Sequence, residues 1–190
     1  MSFPALETSR LQLREITEAD LDAILRIHSD RDHMRWYGSD PLEDAEGARK
    51  MIQHFASLRE AANPGARWGL QRKDTGALIG TCGLFGWHRA WRKCSLGYEI
   101  AQEHQGHGFM AEALREVLAW GFREMGLNRI EAQVHPSNAP SLELLRRLGF
   151  VQEGLLREIG YWGGQHHDLV QHSLLRRDWP LTVAEGASSA

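Results

Sequence analysis

The chain has 190 residues, of which 42% are hydrophobic and 25% charged, with a formal net charge of −3 and only two cysteines. That length suits one domain, expected over 1–180, and the composition is that of a soluble globular protein. The weak charge gives no support for a nucleic-acid or membrane binder, no apolar run approaches the ~20 residues of a membrane span, and Cys82 and Cys94 lack C-x-x-C spacing, so a reduced, cytoplasmic setting is expected.

Leu6 to Ile16 reads as an opening strand, with Leu11, Leu13 and Ile16 apolar among Arg10, Gln12 and Arg14. Thr17-Glu-Ala-Asp20 is a near match to a capping box. It starts a helix with Leu21, Ile24, Leu25 and His28 on one face. Residues 29–43 read as irregular, and Trp36 and Tyr37 have no evident purpose there. A second helix begins near Asp44, places Ala48, Met51, Ile52 and Phe55 at helical spacing, and ends at Asn63-Pro-Gly65. Trp68 and Leu70 mark a strand, Lys73-Asp-Thr-Gly76 a hairpin turn, and Ala77 to Gly86 the returning strand. His88 to Lys93 is a basic, aromatic loop, read either as a solvated connection or as a substrate lip.

A strand-like run, Ser95 to Ile100, then empties into a polar loop that opens into a long helix, Gly108 to Met125. Free N–H groups at a helix start, together with the macrodipole, favour an anion. Gly106 and Gly108 let a bulky anion approach the main chain. The stretch reads as a phosphate or pyrophosphate cradle, and two kinds compete. Gly106 to Ala111 fits the dinucleotide fingerprint G-x-G-x-x-A, with Glu131 about 20 residues further on. Against it, the polar run Gln102-Glu103-His104-Gln105 intervenes between strand and glycines. Ile130, Ala132 and Val134 alternate as a strand. Asn138 is placed as an N-cap before Ala139 and Pro140, and a short helix from Ser141 to Leu148 closes at Gly149. Val151 to Gly160, a Tyr161-Trp-Gly-Gly164 turn and Asp168 to Leu175 form a last hairpin. His166 and His167 would point to opposite faces of a strand, so no metal is expected there. Residues 181–190 are expected to be a disordered tail.

The loop also resembles the acetyl-CoA pyrophosphate motif Q/R-x-x-G-x-G/A of the GNAT superfamily of N-acetyltransferases. Gln105, Gly108 and Met110 fall on its three defined positions, Met110 departing from the usual small residue. Over about residues 8 to 178 the order of elements is similar to the α+β GNAT (acyl-CoA N-acyltransferase) fold. That fold is a mixed, mostly antiparallel sheet with splayed fourth and fifth strands and about four flanking helices. Gly97-Tyr98-Glu99-Ile100 looks like the fourth strand, Gln105 to Ala113 like the pyrophosphate loop and helix, and Asn138 to Phe150 like the N-x-x-S…GF segment. The opening Leu6 to Arg14, Glu112-Ala113-Leu114 and the closing Leu174 to Trp179 look like the branch holding the ribosomal-protein-alanine N-acetyltransferases, the Rim group.

The resemblance implies direct transfer of acetyl from acetyl-CoA, as co-substrate and without a metal, to a primary amine. A protein N-terminus of the ribosomal-protein-alanine type comes first. The alternatives are a small-molecule amine acetyltransferase and a non-catalytic acyl-CoA-binding sensor. Carried over residue by residue, Gln105, Gly106, His107, Gly108, Phe109, Met110 and Asn138 would bind the cofactor, and the Ile100 backbone N–H would bind the thioester oxygen. Glu99 would be the general base, with Tyr98 and Ile100 desolvating it and raising its pKa. Ser141 would protonate the leaving thiolate, with His107 and His135 as further proton carriers. Specificity is expected in the first two helices, the His88 to Lys93 loop and the last hairpin. Neither nucleic acid nor membrane is expected as a partner, and a homodimer is left open.

Overall fold

A computed structural model describes residues 3–179, so the expected tail, 181–190, lies outside the described residues. The expected opening strand is two. The Thr8 N–H donates to Leu11 O and the Thr8 hydroxyl takes the Leu11 N–H (2.9 Å), folding Leu6–Glu7 (β1) back on Leu11–Arg14 (β2). A side chain that satisfies the backbone at a turn competes with continuation of the strand.

The sheet continues through Ala66–Arg72 (β3), Leu78–His88 (β4), Lys93–Ile100 (β5), Arg129–Val134 (β6), Val151–Trp162 (β7) and Gln165–Leu175 (β8). The eight strands lie in the order β1-β2-β3-β4-β5-β6-β8-β7, antiparallel throughout except for the parallel pair β5–β6. Gly163 and Gly164, both at positive φ, make the turn of the last hairpin, so β8 begins three residues earlier than expected.

Helices cover both faces. The expected capping box is present: the Asp20 carboxylate accepts the Thr17 N–H (2.9 Å). It opens a single 3₁₀ turn before Leu21–Ser29 (α1). Arg31–Met34 (α2) adds one turn within the stretch read as irregular, and Ala45–Ser57 (α3) follows Asp44, whose side chain accepts from Gly47 N. That helix stops at Ser57, short of Asn63. Ile24, Ala48, Ile52 and Phe55 pack with Ile16 and Leu78 on one side. On the other, Phe109–Arg123 (α4) and Ala139–Arg147 (α5) bury Leu114, Val117, Leu118 and Leu145 with Leu84, Leu96 and Ile130. Period-two alternation therefore points Leu96 and Tyr98 toward α4 and α5, and Gly97 and Glu99 toward α1 and α3. No helix among the described residues is long and apolar enough to cross a membrane.

Candidate active site

The parallel pairing of β5 with β6 runs only from Lys93 to Ser95. Beyond it the strands part, and a cavity of about 260 Å³ opens between Leu96, Gly97 and Tyr98 on one side and Ala132, Gln133 and Val134 on the other. Asn138 and Ser141 close it from α5, and Trp36 to Ser39 and Arg67 from the opposite face. Ala101 N donates to Ile79 O of β4 (2.8 Å), which fixes the backbone alternation. The N–H groups of Tyr98 and Ile100 consequently face the side where β6 has ceased to pair.

The loop expected to cradle a pyrophosphate lies at the far end of β5. Gly106 and Gly108 hold φ of 77° and 78°, in the left-handed region that glycine tolerates, and Gly108 is the N-cap of α4 with no side chain capping the helix. Gln105 to Gly108 are exposed. Phe109 and Met110 are buried, at 7% and 6% exposure, and their side chains join the core, with the Phe109 ring also lying against His107 of the loop. Met110, which departs from the small residue of the motif, has its side chain in the core. Arg10 and Glu112 strap the loop down. Arg10 Nε donates to Glu112 Oε2 (2.6 Å) and Nη1 to the His107 carbonyl (3.0 Å), while the guanidinium lies 4.4 Å over the Phe109 ring. Burial would raise the Glu112 carboxyl, but bonds from Thr8, Arg10 and Ser9 outweigh it and hold it at about 2. Sequence reasoning noted both segments only as marks of the branch. That they meet across 102 residues was not legible.

Ser141 and Asn138 are brought together as expected, with a sharper division of work. Asn138 Oδ1 accepts the Ser141 N–H (3.3 Å) and is the helix cap. The Ser141 hydroxyl is left to a hydrogen bond with Tyr98 OH at 2.6 Å. Burial pushes the Tyr98 phenol up to about 12, with the Ser141 bond pulling slightly the other way. Tyr98 went unrecognised because one residue of an alternating strand carries no sign of what faces it.

Glu99 does not stand as expected. It is 6% exposed, lines neither of the cavities described here, and is enclosed by Arg67 and Thr81, both hydrogen-bonded to its carboxylate. His28 Nε2 lies 3.3 Å from Oε1, too poorly aligned for a hydrogen bond. Burial alone would raise its pKa, as anticipated. The Arg67 charge, with His28 and Thr81, reverses the sign and holds Glu99 down at about 2. The expectation considered its strand neighbours, Tyr98 and Ile100. The deciding cation comes from β3 across the sheet.

Residues 29–43 acquire their purpose here. Leu42 N donates to His28 O (2.8 Å), Trp162 Nε1 to Arg35 O (3.0 Å) and Gly163 N to Asp40 Oδ1 (2.7 Å), fastening the segment to α1 and the last hairpin. A second cavity of about 810 Å³ lies between them, lined by Trp36, Ser39, Asp40, Glu43, Trp162 and His167 among others. Trp36 and Ser39 line both cavities. Trp162 stacks on His167 at 3.7 Å and Trp36 on His135 at 4.0 Å. His135 Nδ1 accepts the Ser137 N–H (3.1 Å), and His107 bonds its own loop at Gln105 O. The His88 to Lys93 loop lines neither cavity; it lies at the paired end of β5, away from the splay. Glu131 is engaged with Arg129 and Lys93 beside the parallel pairing, not in the cradle.

A mixed sheet that parts at one strand pair, with an uncapped helix start at the end of the parting strand, defines an acyl-CoA-dependent transferase fold. Residues 10–151 match the family model described as an acetyltransferase (GNAT) domain. The chain belongs to the GNAT acetyltransferases and is an acetyl-CoA-dependent N-acetyltransferase. It is 41% identical over 174 residues to the uncharacterized N-acetyltransferase YoaA of Bacillus subtilis, covering 92% of this chain and 98% of that protein. It is 36% identical over 113 residues to the [ribosomal protein uS5]-alanine N-acetyltransferase of Escherichia coli, covering 59% of this chain and 58% of that protein. Among solved structures, spermidine N-acetyltransferase from Vibrio cholerae in complex with CoA and spermine matches at a TM-score of 0.77 and 25% identity, over 90% of this chain and 98% of that one.

Proposed function

We propose that the protein transfers acetyl from acetyl-CoA to the α-amine of a protein N-terminus, of the ribosomal-protein-alanine type. The observation that carries the transfer reading is the cleft at the splay, where unpaired backbone donors of β5 lie beside the Tyr98 hydroxyl of the same strand and the Ser141 hydroxyl of α5 that it bonds. The kind of acceptor is supported by the uS5-alanine relative. In this reading the pyrophosphate rests on Gly106 to Met110 beside Gln105, and Asn138 holds the α5 start against the cofactor's thiol end.

The acceptor nitrogen forms a bond to the thioester carbon, and the negative charge developing on the carbonyl oxygen is met by the Ile100 N–H. The C–S bond then breaks, and Ser141 gives a proton to the thiolate while taking one from the Tyr98 phenol bonded to it, which solvent in the cleft replaces. A carboxylate held at about 2 is a weak base near neutrality. Glu99 is therefore assigned as the counter-ion of Arg67, and the amine's proton leaves through the open cleft to solvent.

The test is release of CoA thiol from acetyl-CoA against a panel of N-terminal peptides and free amines. Alanine-first peptides are expected to be the best acceptors. Turnover confined to polyamines would favour the small-molecule reading, which the spermine-bound relative motivates. Tight CoA binding with no thiol release from any acceptor would favour a sensor.

A further inference from the structure

Arg67 lies in β3 opposite Gly83 of β4, which lies opposite Gly97 of β5. The three positions share the sheet face toward α1 and α3, and the two glycines leave a trough across it. A Cβ at Gly83 would stand 3.0 Å from Arg67 Cδ, and one at Gly97 3.2 Å from Nη1. The arginine side chain is laid in this trough, and its tip ends at Gly97, just beyond the last residue of β5 that pairs with β6, Ser95.

The guanidinium is held on three sides. Nε donates to Thr81 Oγ1 (2.7 Å), and Nη2 donates to Tyr37 OH (3.1 Å) and to the Glu99 carboxylate. Phe55 lies 5.1 Å beneath it. Nη1 has no hydrogen-bond partner among the described residues, although Arg67 is only 7% exposed and lines the cleft at the splay. Nη1 keeps contact with the cleft, so an oxygen entering there can accept its N–H. Because Glu99 already matches the charge, a neutral carbonyl suits it better than a second carboxylate, which would be buried without its own counter-ion.

We propose that Arg67 Nη1 binds the carbonyl oxygen on the carbon next to the one bearing the acceptor's amine. That makes the acceptor an α-aminoacyl group, as at a peptide N-terminus, and not an alkylamine or polyamine, which carries no oxygen there. The inference rests on the acetyl-transfer reading above and names the acceptor feature that reading leaves open. Arg67 is a specificity residue, and Gly83 and Gly97 are what let it reach the cleft.

The experiment measures kcat/KM for three acceptors of one carbon skeleton: an alanine-first peptide amide, free alanine and 2-aminopropane. The wild type is expected to favour the peptide over 2-aminopropane by roughly ten- to a hundredfold, the range of a hydrogen bond to a charged donor. Arg67→Met alone would strand the Glu99 charge, so it is paired with Glu99→Gln to keep the site neutral. The peptide-to-2-aminopropane ratio is expected to fall toward one in that double variant. Gly97→Ala, which crowds Nη1 and alters no charge, is expected to lower the same ratio and serves if the double variant does not fold. A ratio unchanged in Gly97→Ala and the double variant, or a wild type indifferent to the carbonyl, overturns the inference and leaves acetyl transfer standing. Free alanine equal to or better than the peptide overturns the neutral-carbonyl assignment. Absence of CoA release with every acceptor overturns the transfer reading and this inference together.

Discussion

Arg67 and Glu99 illustrate how one buried pair sets the behaviour of a whole site. Both are almost wholly enclosed, at 7% and 6% exposure. Removing one partner of such a pair leaves the other charged and unmatched, which costs about 3–5 kcal/mol. Glu99→Gln is therefore expected to destabilise the fold by about that amount in urea titration. If Glu99 is a counter-ion, the variant's rate falls without displacing the midpoint of the pH–rate profile; a displaced midpoint would restore it as the base. The sign of its pH dependence follows from its depression from 4.5 to about 2. The stabilisation is complete above 4.5 and drains away as pH falls toward 2, so wild type and Glu99→Gln should converge in melting temperature across that interval. At Ser141 the hydroxyl is free of the capping task, which Asn138 performs. Asn138→Ala is expected to cost about 0.5–2 kcal/mol of stability, as lost caps do. Ser141→Ala should instead slow single-turnover transfer with a smaller fall in melting temperature. A normal rate in Ser141→Ala would leave the thiolate to Tyr98 or solvent.

The element proposed to carry the cofactor is the start of α4, and its geometry depends on a strap from the first hairpin. Arg10 and Glu112 fix the His107 carbonyl and the first turn of the helix. Glu112→Ala is expected to raise KM for acetyl-CoA several-fold while kcat changes little, because the strap touches the loop and not the splay. An unaltered KM would show that the glycine loop holds its shape unaided. CoA is expected to raise the melting temperature and NAD to leave it unchanged. Saturation at about 100 times Kd corresponds to about 2.7 kcal/mol. Gly108→Trp places a bulky side chain at the open N-terminus, at a φ of 78° that non-glycine residues rarely adopt. It should abolish the CoA shift with little change in circular dichroism; normal binding would mean the pyrophosphate rests elsewhere.

At the scale of the whole molecule, the proposed function makes the sheet one surface that serves two ligands from opposite faces. Ser141 and Tyr98 meet on the α4–α5 side, Arg67 and Glu99 on the α1–α3 side, and the parting of β5 from β6 joins the two. Local features of the chain were enough to read the glycine-bearing loop before α4, the Asn138 cap, the order of elements and the GNAT family, because glycine spacing, caps and hydrophobic periodicity act within a few residues. The opening strand was misread because Thr8 folds the chain back on itself, and the last hairpin because its turn lies at Gly163-Gly164. What the chain could not disclose is every effect that depends on cross-strand neighbours. The direction of the Glu99 shift, the Tyr98 partner of Ser141, the Arg10–Glu112 strap and the glycine trough under Arg67 join residues 16 to 102 positions apart. Electrostatics and close packing depend on distance in space, so the sign of a pKa shift and the reach of a side chain were settled only when β3, β4 and β5 came together.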